Sequence, residues 1–289
     1  MDLRRLLSRL RRIRTRTIAV HVVAWGLGLI WLIPFIGVFM TAARPTEEIL
    51  RGWWVFDQFN PTARNFLTAL TDPTTPLWSG LRNSFVVAIP STVIPIFVAS
   101  AAAYGFARFR FPTRDYLFLA IVLFMAVPQQ MVAVPIFLQM IQAGLWDNFL
   151  SVILVHTAWA IPWTLLFMRN FFQTLPVEVE EAARVDGASD FRIFFKIVLP
   201  MSLPALAAVA VLQFMWVWND FFFATVLLFS PENLLATQMV PLLSEAGPFY
   251  KDAGILSAAS IVVMLVPVLV FAFLQRYYIR GMVGWTIKG

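Results

Sequence analysis

The sequence predicts an all-α membrane protein with six transmembrane helices and both termini in the cytoplasm. The chain has 289 residues, of which 60% are hydrophobic and only 13% are charged, and its mean hydropathy is +0.77. An ordinary globular domain carries about 25% charged residues. Long uncharged runs indicate the spans, because a helix crosses the bilayer core in roughly 20 apolar residues. The uneven distribution of Lys and Arg among the loops indicates the orientation.

Six runs are long enough to cross a bilayer, and Asp220 is the one charged residue inside them. They are Thr17 to Ala43, Asn83 to Ala107, Tyr116 to Trp146, Asn148 to Met168, Ile197 to Pro231 and Ala253 to Gln275. The third and fifth runs are longer than a bilayer requires. We therefore expect part of each to lie at the interface or to bend at Pro128, Pro135 or Pro204.

Positive charge divides the loops into two groups. The N-terminal arm, the loops 108–115 and 169–196 and the C-terminal tail contain 17 of the 22 Lys and Arg residues. The other loops contain the remaining five, and acidic residues outnumber them there. Because cytoplasmic loops are enriched in Lys and Arg, the first group is predicted to lie in the cytoplasm.

The spans and loops together predict five parts. Residues 1–17 form a basic cytoplasmic arm, 18–41 the first transmembrane helix and 42–81 an extracytoplasmic loop. Residues 82–276 form a core of five transmembrane helices with a cytoplasmic loop at 170–200, and 277–289 form a cytoplasmic tail. The arm is interpreted as an inside anchor, since a cleavable signal has a shorter apolar run of about 7–15 residues. The loop 42–81 suits either the membrane surface or docking of an external partner.

Composition excludes several kinds of chemistry. The chain has no cysteine and two histidines, so thiolate and imidazole metal sites are not expected. A Walker A loop, G-x-x-x-x-G-K-[ST], is absent from the sequence, so ATP hydrolysis would belong to another chain. A proton-coupled transporter or an intramembrane enzyme would require several ionisable groups at one depth, whereas the spans contain one carboxylate, Asp220. A proton-coupled secondary transporter is therefore kept only as an alternative.

The charged segment between the fourth and fifth spans predicts two short helices separated by a turn. Pro176 suits a helix start, and the carboxylates of Glu178, Glu180 and Glu181 complement the first turns. Gly187 suits the turn, and Ser189 or Asp190 suits the next N-cap. An apolar face of the second helix would comprise Phe191, Phe194, Phe195 and Val198. These features favour a docking element and an interfacial amphipathic connector equally.

A family resemblance favours the docking element. The stretch EAARVDGASDFRIFFKIVLP at 181–200 resembles the EAA signature of membrane subunits of bacterial ATP-binding-cassette importers: Glu-Ala-Ala, three residues, Gly, nine residues, Ile, one residue, Leu-Pro. The resemblance implies a type I importer permease fold with a cytoplasmic coupling helix between spans four and five. It also implies ATPase-coupling roles for Glu181, Ala182, Ala183, Asp186, Gly187, Ala188, Phe191, Phe194, Phe195, Leu199 and Pro200.

Three other stretches resemble the carbohydrate-type branch, which includes maltose-type permeases: AYGFARFRFPTRD at 103–115, WVWNDFFFATVLLF at 216–229 and QRYYIRGMVGWTIKG at 275–289. The resemblance implies a sugar importer in the bacterial cytoplasmic (inner) membrane. Its implied partners are a second homologous permease, two ATP-binding subunits that hold ATP and Mg, and an extracytoplasmic solute-binding protein. No cofactor and no nucleic acid is expected on this chain. The tail residues Arg280, Gly281 and Lys288 are further candidate contacts to the ATPase.

Candidate solute contacts are polar or indole side chains within the spans. Indole faces pack on the C–H surfaces of sugar rings, and amides bind hydroxyl groups. The candidates are Trp216, Asn219, Asp220, Gln213, Gln129 and Gln130. Asp220 is interpreted mainly as a structural or gating residue, because one carboxylate does not make a site. His21 and His156 have no carboxylate at helical spacing and are interpreted as packing residues.

Overall fold

The computed structural model describes residues 3–57, 59–73, 75–243 and 249–286, with side chains from residue 17 to 243 outside the gaps and from 253 to 275. Every regular element in these ranges is helical, which confirms the predicted all-α class. The α-helices are α1 (Leu3–Ala42), α2 (Thr46–Ile49), α3 (Arg64–Thr71), α4 (Leu77–Arg108), α5 (Arg114–Leu123), α6 (Ala133–Gln142), α7 (Phe149–Phe172), α8 (Val177–Val185), α9 (Asp190–Ile193), α10 (Leu199–Met201), α11 (Leu203–Trp218), α12 (Phe222–Leu227), α13 (Ala236–Leu242) and α14 (Phe249–Thr286). Single 3₁₀ turns cover Phe124–Ala126, Gln129–Val132 and Pro231–Asn233, and a π-helical turn covers Phe194–Val198.

The described chain contains four straight helical stretches that are long and apolar enough to cross a membrane: Thr17–Ala42, Leu77–Arg108, Phe149–Phe172 and Ala253–Gln275. Two more stretches qualify as bent pairs. Arg114–Ala126 and Gln129–Gln142 meet at 94°, and Asp190–Met201 and Leu203–Trp218 meet at 74°. If each bent pair is one span, the total is six, as the sequence predicts. The orientation of the spans remains a prediction from the loop charges.

The two bends lie beside prolines named from the sequence. Val127 is extended, with ψ of 119°, because a residue that precedes proline is disfavoured in the α region. The fifth span breaks at Ser202, and Pro204 then occupies the first turn of α11, where proline fits. The predicted fifth run is too long, because α11 ends at Trp218. Asp220 therefore lies beyond the end of that helix rather than inside a continuous span.

Small residues bring α4 and α7 together. The chain forms two compact units, residues 1–69 with 244–261 and residues 70–243 with 262–289, and α4, α7 and α11 build the second. Ala99 and Ala103 of α4 are fully buried against Leu165 and Met168 of α7. In lipid, helices associate through close van der Waals packing rather than hydrophobic burial, so small side chains at the contact favour the pair.

The unit of residues 1–69 and 244–261 contains a folded part of the predicted extracytoplasmic loop. The Asn65 Nδ2 atom donates to the carbonyl oxygens of Ala42 at 3.0 Å and Arg44 at 2.8 Å, which satisfies acceptors left free where α1 ends. The buried Arg44 guanidinium lies over the rings of Phe56 and Phe59, at 5.6 and 5.1 Å from their centroids. Polar and aromatic contacts therefore help to order this segment.

Asp147 joins the loop before α7 to the loop before α13. Its Oδ1 atom accepts hydrogen bonds from the backbone N–H groups of Phe229 at 2.8 Å and Ser230 at 3.2 Å, and its Oδ2 atom accepts from Asn233 Nδ2. Burial alone would raise the pKa of Asp147, but these hydrogen bonds favour the charged form and lower the pKa below its ordinary value. The ionised carboxylate of Asp147 therefore links the loop before α7 to the loop before α13.

We predict that Gly80→Ala destabilises the protein by about 1–3 kcal/mol, because a Cβ at Gly80 would lie 2.6 Å from Met239 Sδ and 3.0 Å from the Ala236 backbone. Gly105→Ala is the matched control on the same helix, since no atom lies within 4 Å of its Cβ position. That change removes a poor helix former and is expected to stabilise by up to about 1 kcal/mol. Thermal unfolding of the detergent-solubilised variants measures both effects, and equal behaviour of the two would contradict the packing described for Gly80.

Candidate coupling loop and solute cavity

The segment between α7 and α11 folds as the helix, turn and helix that its sequence predicts. Pro176 is the N-cap of α8, which ends at Val185, and Gly187 has a left-handed φ of 80°. The Gly187 N–H donates to the Arg184 carbonyl at 3.0 Å, and the Ala188 N–H donates to the Ala183 carbonyl at 2.9 Å. This pair of bonds is the Schellman arrangement that closes a helix C-terminus on a glycine.

The second helix starts at Ser189 and is irregular. The Ser189 Oγ atom accepts a hydrogen bond from the Arg192 backbone N–H at 3.4 Å, so Ser189 rather than Asp190 is the N-cap. After α9, the chain forms the π-helical turn Phe194–Val198 and then the short helix α10. A single π turn inside a helix often accompanies a functional site.

The predicted apolar face of the second helix is divided between two environments. Phe194 and Val198 are buried against Tyr104 and Phe172 in the core, but Phe191 is 80% exposed and Phe195 is 42% exposed. The prediction that these four residues share one apolar face is therefore wrong. The exposed phenylalanines lie where they remain available to a partner or a membrane surface.

The motif residues form a largely exposed surface. Glu181, Ala182, Asp186, Gly187 and Pro200 are exposed, while Ala183, Ala188 and Leu199 are partly buried against the core. Glu181 makes no hydrogen bond or ion pair with any part of the chain that the structure describes. Val185, on the next turn of α8, is 89% exposed. An unpaired carboxylate beside exposed apolar side chains is suited to recognition and not to acid–base catalysis, which needs a positioned partner.

The neighbouring residue, Glu180, forms the shortest ion pair of the loop. Its position in the sequence predicted only an interaction with the helix dipole. Its side chain is 2% exposed, and its Oε1 atom lies 2.7 Å from Arg108 Nε. The Tyr104 hydroxyl donates to Glu180 Oε2 at 3.0 Å. Nothing in the local sequence distinguishes Glu180 from Glu178 or Glu181, because its partners lie more than 70 residues earlier on α4.

A cavity of about 560 Å³ lies between the bent third span, α7 and α11. Its lining combines three indoles, three amides, one imidazole and apolar side chains: Met125, Val127, Pro128, Gln129, Gln130, His156, Trp159, Ala160, Trp163, Leu212, Gln213 and Trp216. Pockets of a few hundred Å³ with a few polar groups among apolar walls are typical of small-molecule sites.

Four of the candidate solute residues converge on this cavity. Gln129 and Gln130 reach it because the break at Pro128 turns their 3₁₀ segment away from α5, and Gln213 and Trp216 reach it from α11. The Gln213 amide is positioned by a hydrogen bond from Nε2 to the Ser91 carbonyl at 3.1 Å. Trp159 and Trp163 of α7, which sequence reasoning did not select, supply the other indoles.

Asn219 and Asp220 do not line the cavity. Asn219 is exposed and its Nδ2 atom donates to the Met215 carbonyl. Asp220 accepts hydrogen bonds from the backbone N–H groups of Phe223 and Ala224 at the start of α12, at 3.4 and 2.9 Å. Its Oδ2 atom also lies 3.4 Å from Nε2 of the cavity residue His156. The carboxylate therefore caps the start of α12 and lies beside His156, and no sequence spacing predicts this proximity.

The tail candidates Arg280, Gly281 and Lys288 lie outside the residues whose side chains the structure describes. Within the described residues, no group of three or more His, Asp or Glu side chains is arranged to hold a metal ion. The loop between α7 and α11 and the cavity are thus the two candidate functional surfaces among the described residues.

Comparisons with known proteins identify relatives of this chain. Residues 91–284 match the family model described as "Binding-protein-dependent transport system inner membrane component". A probable ABC transporter permease protein of Pyrococcus horikoshii is 53% identical over 94% of this chain and 98% of its own length. An osmoprotective compounds uptake permease of a Synechocystis species is 37% identical over 93% of this chain and 91% of its own. An alpha-glucoside transport system permease of Rhizobium meliloti is 41% identical over 72% of this chain and 56% of its own.

A solved structure shares the fold. It is a bacterial ABC transporter involved in the import of the acidic polysaccharide alginate, and the match has a TM-score of 0.67 at 16% identity. The match covers 94% of this chain and 99% of that one. The chain therefore shares the fold of a chain of that transporter.

We predict that the two environments of the loop are distinguishable by thiol labelling, because the native chain has no cysteine and an introduced one is the only target. Val185→Cys, at an 89% exposed position, should react with a membrane-impermeant maleimide in inverted vesicles that lack the ATPase. Ile193→Cys, at a fully buried position eight residues away, should react only after denaturation. Labelling of Val185→Cys from the outside of intact cells would contradict the orientation, and equal labelling of both in native vesicles would contradict the burial.

Proposed function

The chain belongs to the family of binding-protein-dependent transport system inner membrane components, and on that premise we propose that it is the sugar-translocating permease of an importer driven by separate ATP-binding subunits. The permease role follows from the family and from the shared fold. The coupling surface, the solute and the partner composition are the proposal. It includes a second homologous permease, two ATP-binding subunits and an extracytoplasmic solute-binding protein around this chain in the inner membrane.

The exposed side of α8 carries the coupling part of the proposal. Glu181 has no partner in the described chain, and Val185 and Phe191 expose most of their apolar surface. Exposed large apolar residues around an unpaired charge are typical of a protein interface. The charge count assigns this loop to the cytoplasmic side, where ATP-binding subunits would meet it. We infer that α8 is the coupling helix, with Glu181 as a docking anchor.

The cavity carries the solute part of the proposal. Indoles of Trp159, Trp163 and Trp216 surround it, and Gln129, Gln130 and Gln213 provide amides. This combination provides flat apolar faces for a sugar ring and hydrogen-bond partners for its hydroxyl groups. The alpha-glucoside permease relative supports a carbohydrate. The osmoprotectant permease relative supports a different small solute as the alternative, with the same amides binding its polar groups.

Glu181→Lys is expected to release the ATP-binding subunits, lowering their copurification at least about tenfold, because an anchoring carboxylate pairs with a basic group on its partner. Glu232→Lys, the same charge reversal at an exposed residue in a predicted extracytoplasmic loop, should leave the complex intact. Affinity purification of the tagged permease followed by quantification of the ATPase measures both. Normal retention in Glu181→Lys would contradict the docking role.

In the same copurification assay, Gly187→Asn tests whether position 187 requires a left-handed backbone or requires free space around the residue. No atom lies within 4 Å of a Cβ at Gly187, so only its φ of 80° restricts substitution. Asn tolerates the left-handed region and should retain the ATPase, whereas Gly187→Val should not.

Trp216→Ala is expected to lower uptake at least about tenfold while leaving the ATPase bound, because an indole face removes apolar surface of a sugar ring from water, at about 25 cal/mol per Å². Trp31→Ala is the control, since that indole is exposed on α1 and does not line the cavity. Proteoliposomes that contain the full complex and its binding protein would be tested with a labelled alpha-glucoside such as maltose and with a labelled non-sugar osmoprotectant. Unchanged transport of every accepted solute in Trp216→Ala would exclude the cavity from the pathway.

A further inference from the structure

Glu180 and Glu181 are adjacent in sequence but face opposite environments. Glu181 is exposed and unpaired in the described chain, whereas Glu180 is 2% exposed and makes the shortest ion pair of the loop. Successive residues of an α-helix are about 100° apart, so one helix can present one carboxylate outward and the next inward. The outward carboxylate belongs to the proposed docking surface, and the inward one requires a separate explanation.

The inward carboxylate is bound by one face of a transmembrane helix. Tyr104 and Arg108 are four residues apart on α4, which places both side chains on the same side of that helix. Arg108 Nε is 2.7 Å from Glu180 Oε1, and the Tyr104 hydroxyl is 3.0 Å from Oε2. Both oxygens of Glu180 are therefore occupied by α4.

Arg108 also holds the segment that leads into α8. It is the last residue of α4, and its Nη2 atom donates to the carbonyl oxygen of Leu175 at 3.2 Å, just before Pro176. One guanidinium thus contacts the loop on both sides of the start of α8. A planar, always charged group with several fixed donors is suited to such a two-point contact, and a lysine ammonium is not.

The network extends to the second short helix. Arg184, one turn after Glu180, donates from Nε and Nη2 to Asp190 Oδ1 at 3.2 Å, and its Nη2 atom lies 3.9 Å from Glu180 Oε2. These Arg184 contacts are more exposed than the Arg108 pair, where the side chains are only 9% and 2% exposed. The buried pair is less screened by water than the surface contacts.

From these contacts we propose that Glu180 is a positioning residue that fastens α8 to the end of α4, so that a displacement of the coupling helix is passed directly to a transmembrane helix. The inference rests on the proposed coupling role of α8. A motion can be transmitted only through elements that are physically joined. Glu180, Arg108 and Tyr104 provide that joint, and the exposed face of α8 remains free for the ATP-binding subunit.

The chain lacks cysteine, so two introduced cysteines report the joint by spin-label distance measurements. Val177→Cys marks the start of α8, and Ala101→Cys marks an exposed position on α4. The purified complex, with its ATP-binding subunits, is measured without nucleotide and after trapping with Mg-ATP and vanadate. With Glu180 present, the distance between the labels should be the same in both states. With Glu180→Gln, the distance should change on trapping and its distribution should broaden at least about twofold, because the neutral amide loses the ion pair that fixes the helix.

Matched variants separate a joint from general stabilisation. Glu178→Gln removes the same charge from an exposed side chain of the same helix and should leave the distance fixed. Arg108→Lys keeps the charge but not both donor contacts, and it should behave like Glu180→Gln. The distance distribution of the Glu180→Gln, Arg108→Gln double variant should be no broader than that of either single variant, because the effects of two residues that form one pair are not additive.

ATPase retention in the same samples distinguishes failure of this inference from failure of the coupling role. A Glu180→Gln complex that retains its ATPase and keeps the native distance in both states would overturn the joint and leave the docking proposal standing. Loss of the ATPase from Glu180→Gln would also overturn it, because Glu180 would then be part of the docking surface. If Glu180→Gln prevents the permease itself from folding in the membrane, Arg108→Lys gives the deciding comparison. Normal retention in Glu181→Lys is the separate result that overturns the coupling role itself.

Discussion

The ion pair between Glu180 and Arg108 joins α8 to the end of α4. Among the described residues of α8, the apolar contact to the core is made by the partly buried Ala183. A carboxylate and a guanidinium that are almost fully removed from water must be paired and hydrogen-bonded, because an unpaired buried charge is strongly unfavourable. The structure meets this requirement with Tyr104 and the Leu175 carbonyl. This polar network therefore restricts α8 to fewer positions against α4 than apolar packing alone would.

The same loop combines a rigid attachment with an open surface. The Schellman bonds after α8 and the Ser189 cap of α9 satisfy the backbone locally, so the turn needs no partner to fold. Burial of Ile193, Phe194 and Val198 fixes the second half of the loop to the core. What remains exposed is the outer side of α8 with Phe191. A surface that is ordered before binding pays less conformational entropy when its partner docks.

The sequence predicts the local features of this protein well and its long-range contacts poorly. Apolar run length predicts where the long helices lie, and proline positions predict both bends, because these are properties of a few adjacent residues. Gly187 and Pro176 predict the turn and the start of α8 for the same reason. The partners of Glu180 and the contact between Asp220 and His156 depend on packing between distant helices. No spacing rule encodes such contacts.

The bend in the third span explains how an apolar sequence places amides in the wall of a cavity. If residues 114–142 formed one straight helix, Gln129 and Gln130 would continue along the axis of α5. The break at Pro128 instead turns the 3₁₀ segment that carries both amides to the cavity that Gln213 and Trp216 also line. Broken backbone within a membrane is tolerated where it is buried in protein or lines a cavity. Pro128 is therefore the residue that places part of the third span at the cavity. In the same way, Arg108 is the residue that joins the loop to the transmembrane helices.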